Sequence, residues 1–301
     1  MALIPYDDRD GAIWLDGKLV PWRDAKVHFL THALHYGGAI FEGIRCYNGQ
    51  MFKLNEHNNR LLEGCKIMDM KLGYTLEEIN QACLEAIKAN NITDGYVRPL
   101  AWRGAEQMGV SATQATIHLS VAAWEWPQYY KGDILSKGIR LVTSKWRRPA
   151  PDSAPVHAKA SGLYMICTLS KHAAEAQGYN DALMLDYRGH VAELTSANFF
   201  MIKDGIIHTP TADCFLNGIT RRTVIDLARG LGIEVQERTI LPDELKLADE
   251  CFATGTAAEI TPIGGIDDAV YTVGPITTQI RETYAKLVRT PAADVKQQGV
   301  A

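Results

Sequence analysis

The apolar positions of the chain change period several times, and each change marks an element. AIWLDGKLVPW (residues 12–22) alternates around Asp16-Gly17, and GIRCYNGQMFKL (43–54) does so around Asn48-Gly49, so both predict hairpins. Helical spacing follows in NEHNNRLLEGCKIMDM (55–70) and in TLEEINQACLEAIKANN (75–91), where Thr75 and Glu78 form a candidate capping box. GYVRPLAWRG (95–104) and ATIHLSVAAWEW (115–126) return to strand periodicity.

WEWPQYYKGD (124–133) breaks both periods with aromatic residues, Pro and Gly, and a fresh strand, GIRLVTS (138–144), follows it. The pattern therefore predicts an N-terminal domain over 1–125, a linker over 126–135 and a C-terminal domain over 136–301. In the second part a Pro-rich loop (147–155) precedes a helix over about 163–177 that Gly178 closes. Short strands run through DALMLD (181–186), HVAEL (190–194), NFFMI (198–202) and GIIHTP (205–210). NGITRRTVIDLARGLG (217–232) reads as a helix starting at Thr220, and ECFATGTAAEITPI (250–263) as two strands about a Gly-Thr turn. Some strands are consecutive and others alternate with helices, which predicts an α+β class rather than a doubly wound sheet. The tail after Pro291 carries no signal of structure.

Composition narrows the partners. The chain has 301 residues, 47% of them apolar and 22% charged, with a net charge of -4 and no long run of one sign. Nothing recommends nucleic acid or an anionic membrane, so small molecules are the expected partners. Acidic residues stand where a signal peptide would be basic, no segment reaches membrane-spanning length, and the six cysteines are scattered without a CxxC pair. A cytoplasmic protein with reduced, buried thiols is the expectation.

Four segments are candidates for chemistry. Lys159 sits among Ala158, Ala160, Ser161 and Gly162; an amine among small residues loses solvation, and its pKa falls toward the range of a nucleophile. Taken alone, an exposed loop lysine is the commoner reading. LNGITRR (216–222) places Gly218 before the amides of Ile219 and Thr220 at a helix start, the geometry that binds phosphate. ATGTAAEIT (253–261) offers a second turn with the Thr256 hydroxyl, which serves equally well as a plain strand connection. Glu193, between apolar neighbours, suits the ring nitrogen of a pyridinium cofactor or, more blandly, a strand end. His28, His32 and His35 have helical spacing but lack a completed ligand set, so no metal site is expected, and neither GxGxxG nor a P-loop is present.

Together HALHYGGAIFEGIRCY, EHNNRL, GYVRPL, Met108-Gly109-Val110, HAKASGLY, VAELTSANFF, LNGITRR and GTAAEITP, in that order over residues 10–265, resemble the branched-chain amino acid aminotransferases of pyridoxal-phosphate (PLP) fold type IV. The resemblance implies two α/β domains, D-amino acid aminotransferase-like, with pyridoxal 5'-phosphate between them, in a homodimer. It makes Lys159 the Schiff-base lysine and proton shuttle, Arg60 a phosphate ligand, Tyr164 the phenol near the cofactor's 3-oxygen and Glu193 the partner of the ring nitrogen. Leu216 would lie against the ring, and Gly218, Ile219, Thr220 and Thr256 would hold the phosphate.

For substrate it points to Tyr36, Tyr96 and Arg98, and to Thr256 and Ala257 for the carboxylate. Phe41, Val110, Trp126 and Tyr129, with Tyr36 and Tyr164, would form an apolar lining for leucine, isoleucine or valine. Such linings separate substrates that differ by one methylene by only about 1–3 kcal/mol. The implied reaction is a ping-pong transfer of the amino group to 2-oxoglutarate, whose carboxylate side chain Arg98 and Tyr36 would accept. The alternatives within the fold are a D-amino acid or (R)-amine transaminase and an aminodeoxychorismate lyase.

Overall fold

The structure is a computed structural model and describes residues 4–126 and 132–290. The chain divides into two compact units, Met1–Pro127 with Ala158–Leu163, and Gln128–His157 with Tyr164–Ala301. The short segment that carries Lys159 packs with the first unit although it lies in the second half of the sequence. Tyr129, part of the linker around it, and the tail from residue 291 lie outside the described residues.

The first unit is an antiparallel sheet with helices on one face. Ala12–Leu15 pairs with Lys18–Pro21 and Ile44–Tyr47 with Gln50–Met51. Both turns take the left-handed conformation that a two-residue hairpin loop requires, at Asp16 (φ 45°), Gly17 (92°), Asn48 (49°) and Gly49 (77°). The two long strands, Gly95–Arg103 and Ile117–Glu125, pair in unbroken register from Gly95↔Glu125 to Arg103↔Ile117. Their alternation divides the side chains between two faces. Val97, Ala101, Leu119, Val121 and Ala123 pack with Leu61 and Cys65 of the helix Leu54–Ile67 and with Ile79, Cys83 and Ala86 of the helix Leu76–Ala89. The intervening positions, Tyr96, Arg98 and Trp124, are left for the other face. The helix Leu76–Ala89 begins at the expected capping box: the Glu78 amide donates to Thr75 Oγ1 (3.2 Å) and the Thr75 amide to Glu78 Oε2 (2.7 Å).

The second unit is built on a mixed sheet. Its strands run in the order Val191–Leu194, Asp181–Leu185, Ile139–Thr143, Glu259–Ile266, Glu250–Gly255, Asn198–Lys203, Ile206–Pro210, Val235–Arg238. Three pairings are parallel, those of Ile139–Thr143 with both neighbours and that of Ile206–Pro210 with Val235–Arg238. A further contact, Glu193↔Asn198, joins the first strand of that order to the sixth and closes a ring of six strands. Leu141, Leu183, Phe199, Met201 and Ile263 share the core of this ring. The short helix Asp133–Lys137 and three longer ones, Tyr164–Glu175, Ile219–Gly230 and Pro275–Leu287, belong to this unit among the described residues. The last of them and the strand Val235–Arg238 were not evident in the sequence pattern. Pro275–Leu287 is capped from a distance: Glu250 Oε1 and Oε2 accept from the amides of Ile276 (3.2 Å) and Thr277 (2.8 Å), so the capping group lies 26 residues before the first amide it receives.

All six cysteines are buried and none forms a disulfide, and burial pushes the thiols of Cys65, Cys83 and Cys214 up to about 12. Among the described residues no helix is long and apolar enough to cross a membrane.

Candidate active site

In the first unit, Lys159 is added as an edge to the strand Ala39–Phe41. The Phe41 amide donates to the Lys159 carbonyl (3.2 Å), and Ile40 and Ala160 form an antiparallel bridge. This backbone attachment brings the Lys159 amine 4.7 Å from the centre of the Phe41 ring. The Arg98 guanidinium carbon lies 4.9 Å from the same ring, and its Nη2 donates to the Tyr96 hydroxyl (3.3 Å). Tyr96 stacks obliquely with Trp126 at 5.3 Å. Four of the expected residues, Lys159, Phe41, Arg98 and Tyr96, with Trp126 behind them, are thus neighbours.

Immediately after Phe41 comes a residue that the sequence reading passed over. Glu42 is 0% exposed, and it accepts from Arg60 Nε (2.6 Å), Arg60 Nη2 (2.9 Å) and His57 Nδ1 (2.7 Å). Burial alone would raise its carboxyl, but the charge of Arg60 and the bond from His57 outweigh that and hold it far below the usual carboxylate range. Burial lowers His57 despite the pull of Glu42, so the imidazole is neutral at neutral pH and donates its Nδ1–H to the Glu42 carboxylate. Arg60 is therefore a fixed cation with its orientation set by a bidentate carboxylate. His57 and Arg60 are three apart on one helix, which was the available signal.

Tyr36 and Val110 stand on a more exposed part of the same unit. His32 Nε2 bonds to the Gly109 carbonyl (3.0 Å), which ties the Met108–Val110 turn to the short helix His32–Tyr36. The histidines here hold backbone groups: His28 Nδ1 accepts from the Leu30 amide (3.1 Å) and His35 Nε2 contacts the Phe29 carbonyl (3.0 Å).

In the second unit, Glu193 is 8% exposed. Arg148 Nε lies 3.3 Å from its Oε1, and Asn198 Nδ2 donates to its Oε2 (3.2 Å). Burial opposes the charge of Arg148, but the neighbouring Glu193 more than offsets it and holds the guanidinium above its ordinary value. The same Asn198 amide donates to the Leu216 carbonyl (3.0 Å), linking Glu193 to the loop before the helix Ile219–Gly230. Gly218 is the N-cap of that helix without a side-chain cap, so the Ile219 and Thr220 amides have no acceptor within the helix. A Cβ at Gly218 would stand 2.1 Å from Asn198 Oδ1, which requires glycine at this close approach. Thr254, the cross-strand partner of Asn198, is buried with a hydroxyl that lacks a partner. Thr256 and Ala257 occupy the turn between Glu250–Gly255 and Glu259–Ile266, and Tyr164 opens the helix Tyr164–Glu175. Arg148, Asn198 and Thr254 were not singled out from sequence, although Asn198 lies within VAELTSANFF and Thr254 within ATGT. Arg148 is 45 residues from Glu193, too far for any local pattern to pair them.

The first unit thus offers an amine, and the second offers a buried carboxylate with its arginine, helix-start amides without a helical acceptor and a buried hydroxyl, each a type of group suited to a phosphorylated cofactor. Residues 39–266 match the family model of amino-transferase class IV. The chain is a class IV aminotransferase. It is 42% identical over 288 residues to the branched-chain-amino-acid aminotransferase of Pseudomonas aeruginosa, covering 93% of this chain and 94% of that one. The corresponding protein of Escherichia coli K12 is 40% identical over 281 residues, 90% and 91% of the two chains. Among solved structures, the branched-chain amino acid aminotransferase of Escherichia coli superposes with a TM-score of 0.90 at 38% identity, covering 94% and 97%. The T.th. branched-chain amino acid aminotransferase, solved with pyridoxamine 5'-phosphate, gives 0.91 at 41%, covering 94% and 96%. The aminotransferase has the type IV fold that its sequence motifs implied.

Proposed function

We propose that this aminotransferase exchanges the amino group of L-leucine, L-isoleucine or L-valine with 2-oxoglutarate, using pyridoxal 5'-phosphate. The observation that carries the reading is the pairing of Lys159 with Arg98 about the Phe41 ring: the amine and the carboxylate-reading cation share one apolar side chain. The residues fit the cofactor. In the second unit the Ile219 and Thr220 amides suit a phosphate, and the Thr254 hydroxyl is buried beside Asn198 without a partner among the described residues; in the first, Arg60 is a fixed cation of the kind a phosphate takes.

When bound, the cofactor supplies an electron sink that acidifies the substrate's α-carbon. Lys159 would hold the cofactor through its amine and, once freed, would move the proton of the substrate's α-carbon. Glu193, oriented by Arg148 at 3.3 Å, would face the ring nitrogen. Tyr164 would donate near the 3-oxygen, Leu216 would pack on the ring, and Gly218 and Thr256 would complete the phosphate loop, with Ala257 toward the substrate carboxylate. Phe41, Tyr96 and Trp126 would face an aliphatic side chain, with Tyr36 and Val110 joining them once a second copy covers their exposed surface, and Arg98 would bind the second carboxylate of glutamate.

A homodimer and the cytoplasm complete the proposal. Phe29 (71% exposed), Leu34 and Val110 (88%) form part of an apolar surface unusual for a free monomer, and a second copy would cover it. Six buried thiols without a disulfide favour a reducing compartment. Purified protein incubated with L-leucine and 2-oxoglutarate should form glutamate, with D-alanine and (R)-1-phenylethylamine as poor donors. Preference for either control donor would replace the proposal with one of the related activities of the fold.

A further inference from the structure

The wall behind Tyr96 and Arg98 is aromatic and leads to the N-terminal arm. Tyr96 is the cross-strand partner of Trp124, with ring centres 5.3 Å apart. On its far side Trp124 meets the edge of Tyr6 (5.4 Å, 76°), and the Arg9 guanidinium covers the Tyr6 ring at 3.9 Å. Trp124 also borders a cleft of about 600 Å³, lined further by Ile4, Arg9, Trp22, Asn91 and Ile92. The indole N–H of Trp124 is buried with no acceptor, so its position depends on ring contacts. Trp124 also meets Trp126 edge-on (6.3 Å, 66°), and with a cleft on another side the Tyr6 and Trp126 rings oppose its displacement, Tyr6 being the one that comes from the N-terminal arm.

At the other end of this stack, the Tyr96 hydroxyl is wedged over Gly43, where a Cβ would lie 1.7 Å from it. That hydroxyl is the hydrogen-bond partner of Arg98 among the described residues, and Arg98 Nε is buried without one. A shift of Tyr96 therefore moves Arg98.

We infer that Tyr6 and Trp124 are specificity-determining positioning residues, which fix Tyr96 and, through it, Arg98, and so set how well the enzyme accepts dicarboxylate substrates relative to aliphatic ones. The inference rests on the proposed role of Arg98. Its physical basis is an asymmetry: a carboxylate needs a guanidinium in one orientation, whereas an aliphatic side chain tolerates small changes in an apolar wall.

Steady-state kinetics of the holoenzyme with 2-oxoglutarate and with 4-methyl-2-oxopentanoate as amino acceptors test it. Tyr6→Ala and Trp124→Ala should raise KM for 2-oxoglutarate by roughly 5- to 20-fold, with kcat and both constants for the aliphatic acceptor within about 2-fold, while Trp124→Phe, which keeps a ring, stays near wild type. Glutarate should likewise lose its protection against thermal unfolding in the two alanine variants, and 4-methylvalerate should keep its own. The exposed Tyr6 makes its variant safe for folding if Trp124→Ala is not. Equal changes for both acceptors, or none, overturn the inference. Arg98→Leu separates the two levels: if it weakens 2-oxoglutarate while Tyr6→Ala and Trp124→Ala do not, only the arm's role falls, and if it leaves 2-oxoglutarate unaffected, the role of Arg98 falls with it.

Discussion

Two buried carboxylates, one in each compact unit, are held in different ways. Glu42 accepts three short bonds of 2.6–2.9 Å from Arg60 and His57, with a longer one of 3.3 Å from the Gly43 amide. Glu193 is held by Arg148 and Asn198 at 3.3 and 3.2 Å. Both clusters neutralise a buried charge, which is the condition for burying it at all. The difference is in what the contacts can do. Short bonds that saturate a carboxylate lock its partners, so Glu42 acts on Arg60. Longer ones orient a carboxylate without consuming its charge, which suits a group that must stabilise a cation.

The largest effect should come from breaking the tighter cluster. Glu42→Gln leaves Arg60 a nearly buried cation without its counter-ion, and it should cost roughly 3–5 kcal/mol of stability, read by chemical denaturation. Affinity for the cofactor's phosphate should fall with it. Glu193→Gln sharpens the contrast: turnover should drop about 100-fold, equivalent to about 2.7 kcal/mol on the barrier, with a stability loss smaller than that of Glu42→Gln. If the two variants lose stability and turnover in equal proportion, the distinction between the clusters fails.

A smaller loss follows from Asn198→Ala, which removes the amide that joins Glu193 to Leu216 and should cost about 1–2 kcal/mol in a melting experiment. The smallest effect is on pH. His57 is held below its ordinary value, so the unfolded chain takes up a proton near pH 6.5 that the folded one refuses. Its stabilising share is present above about pH 6.5 and is lost as the pH falls below it, so the melting temperature should decline over this range, less steeply in His57→Gln. Glu42 is ionised in both states in that window; its share is lost only at pH values below about 4.

What could be read from the sequence follows how local each feature is. The two Asp-Gly and Asn-Gly hairpins, the Thr75 capping box and the Gly218 helix start were legible because neighbouring residues determine them. The helix Pro275–Leu287 escaped because Glu250 caps it from another strand. The site divides in the same way. Lys159, Glu193 and Arg98 stood out by their immediate company and by the motifs around them. The groups that support the site, Glu42 bound to His57 and Arg148 bound to Glu193, are joined by the fold across 15 and 45 residues, and no periodicity encodes those pairings.

The most direct test is to trap the cofactor on its lysine. The protein loaded with pyridoxal 5'-phosphate would be reduced with borohydride, digested, and mapped by mass spectrometry, with Lys159→Ala alongside. One pyridoxyl group per chain, on Lys159, is predicted, with none retained in the variant. A label on another lysine, or a variant that still forms the adduct and turns over L-leucine, would contradict the assignment of Lys159.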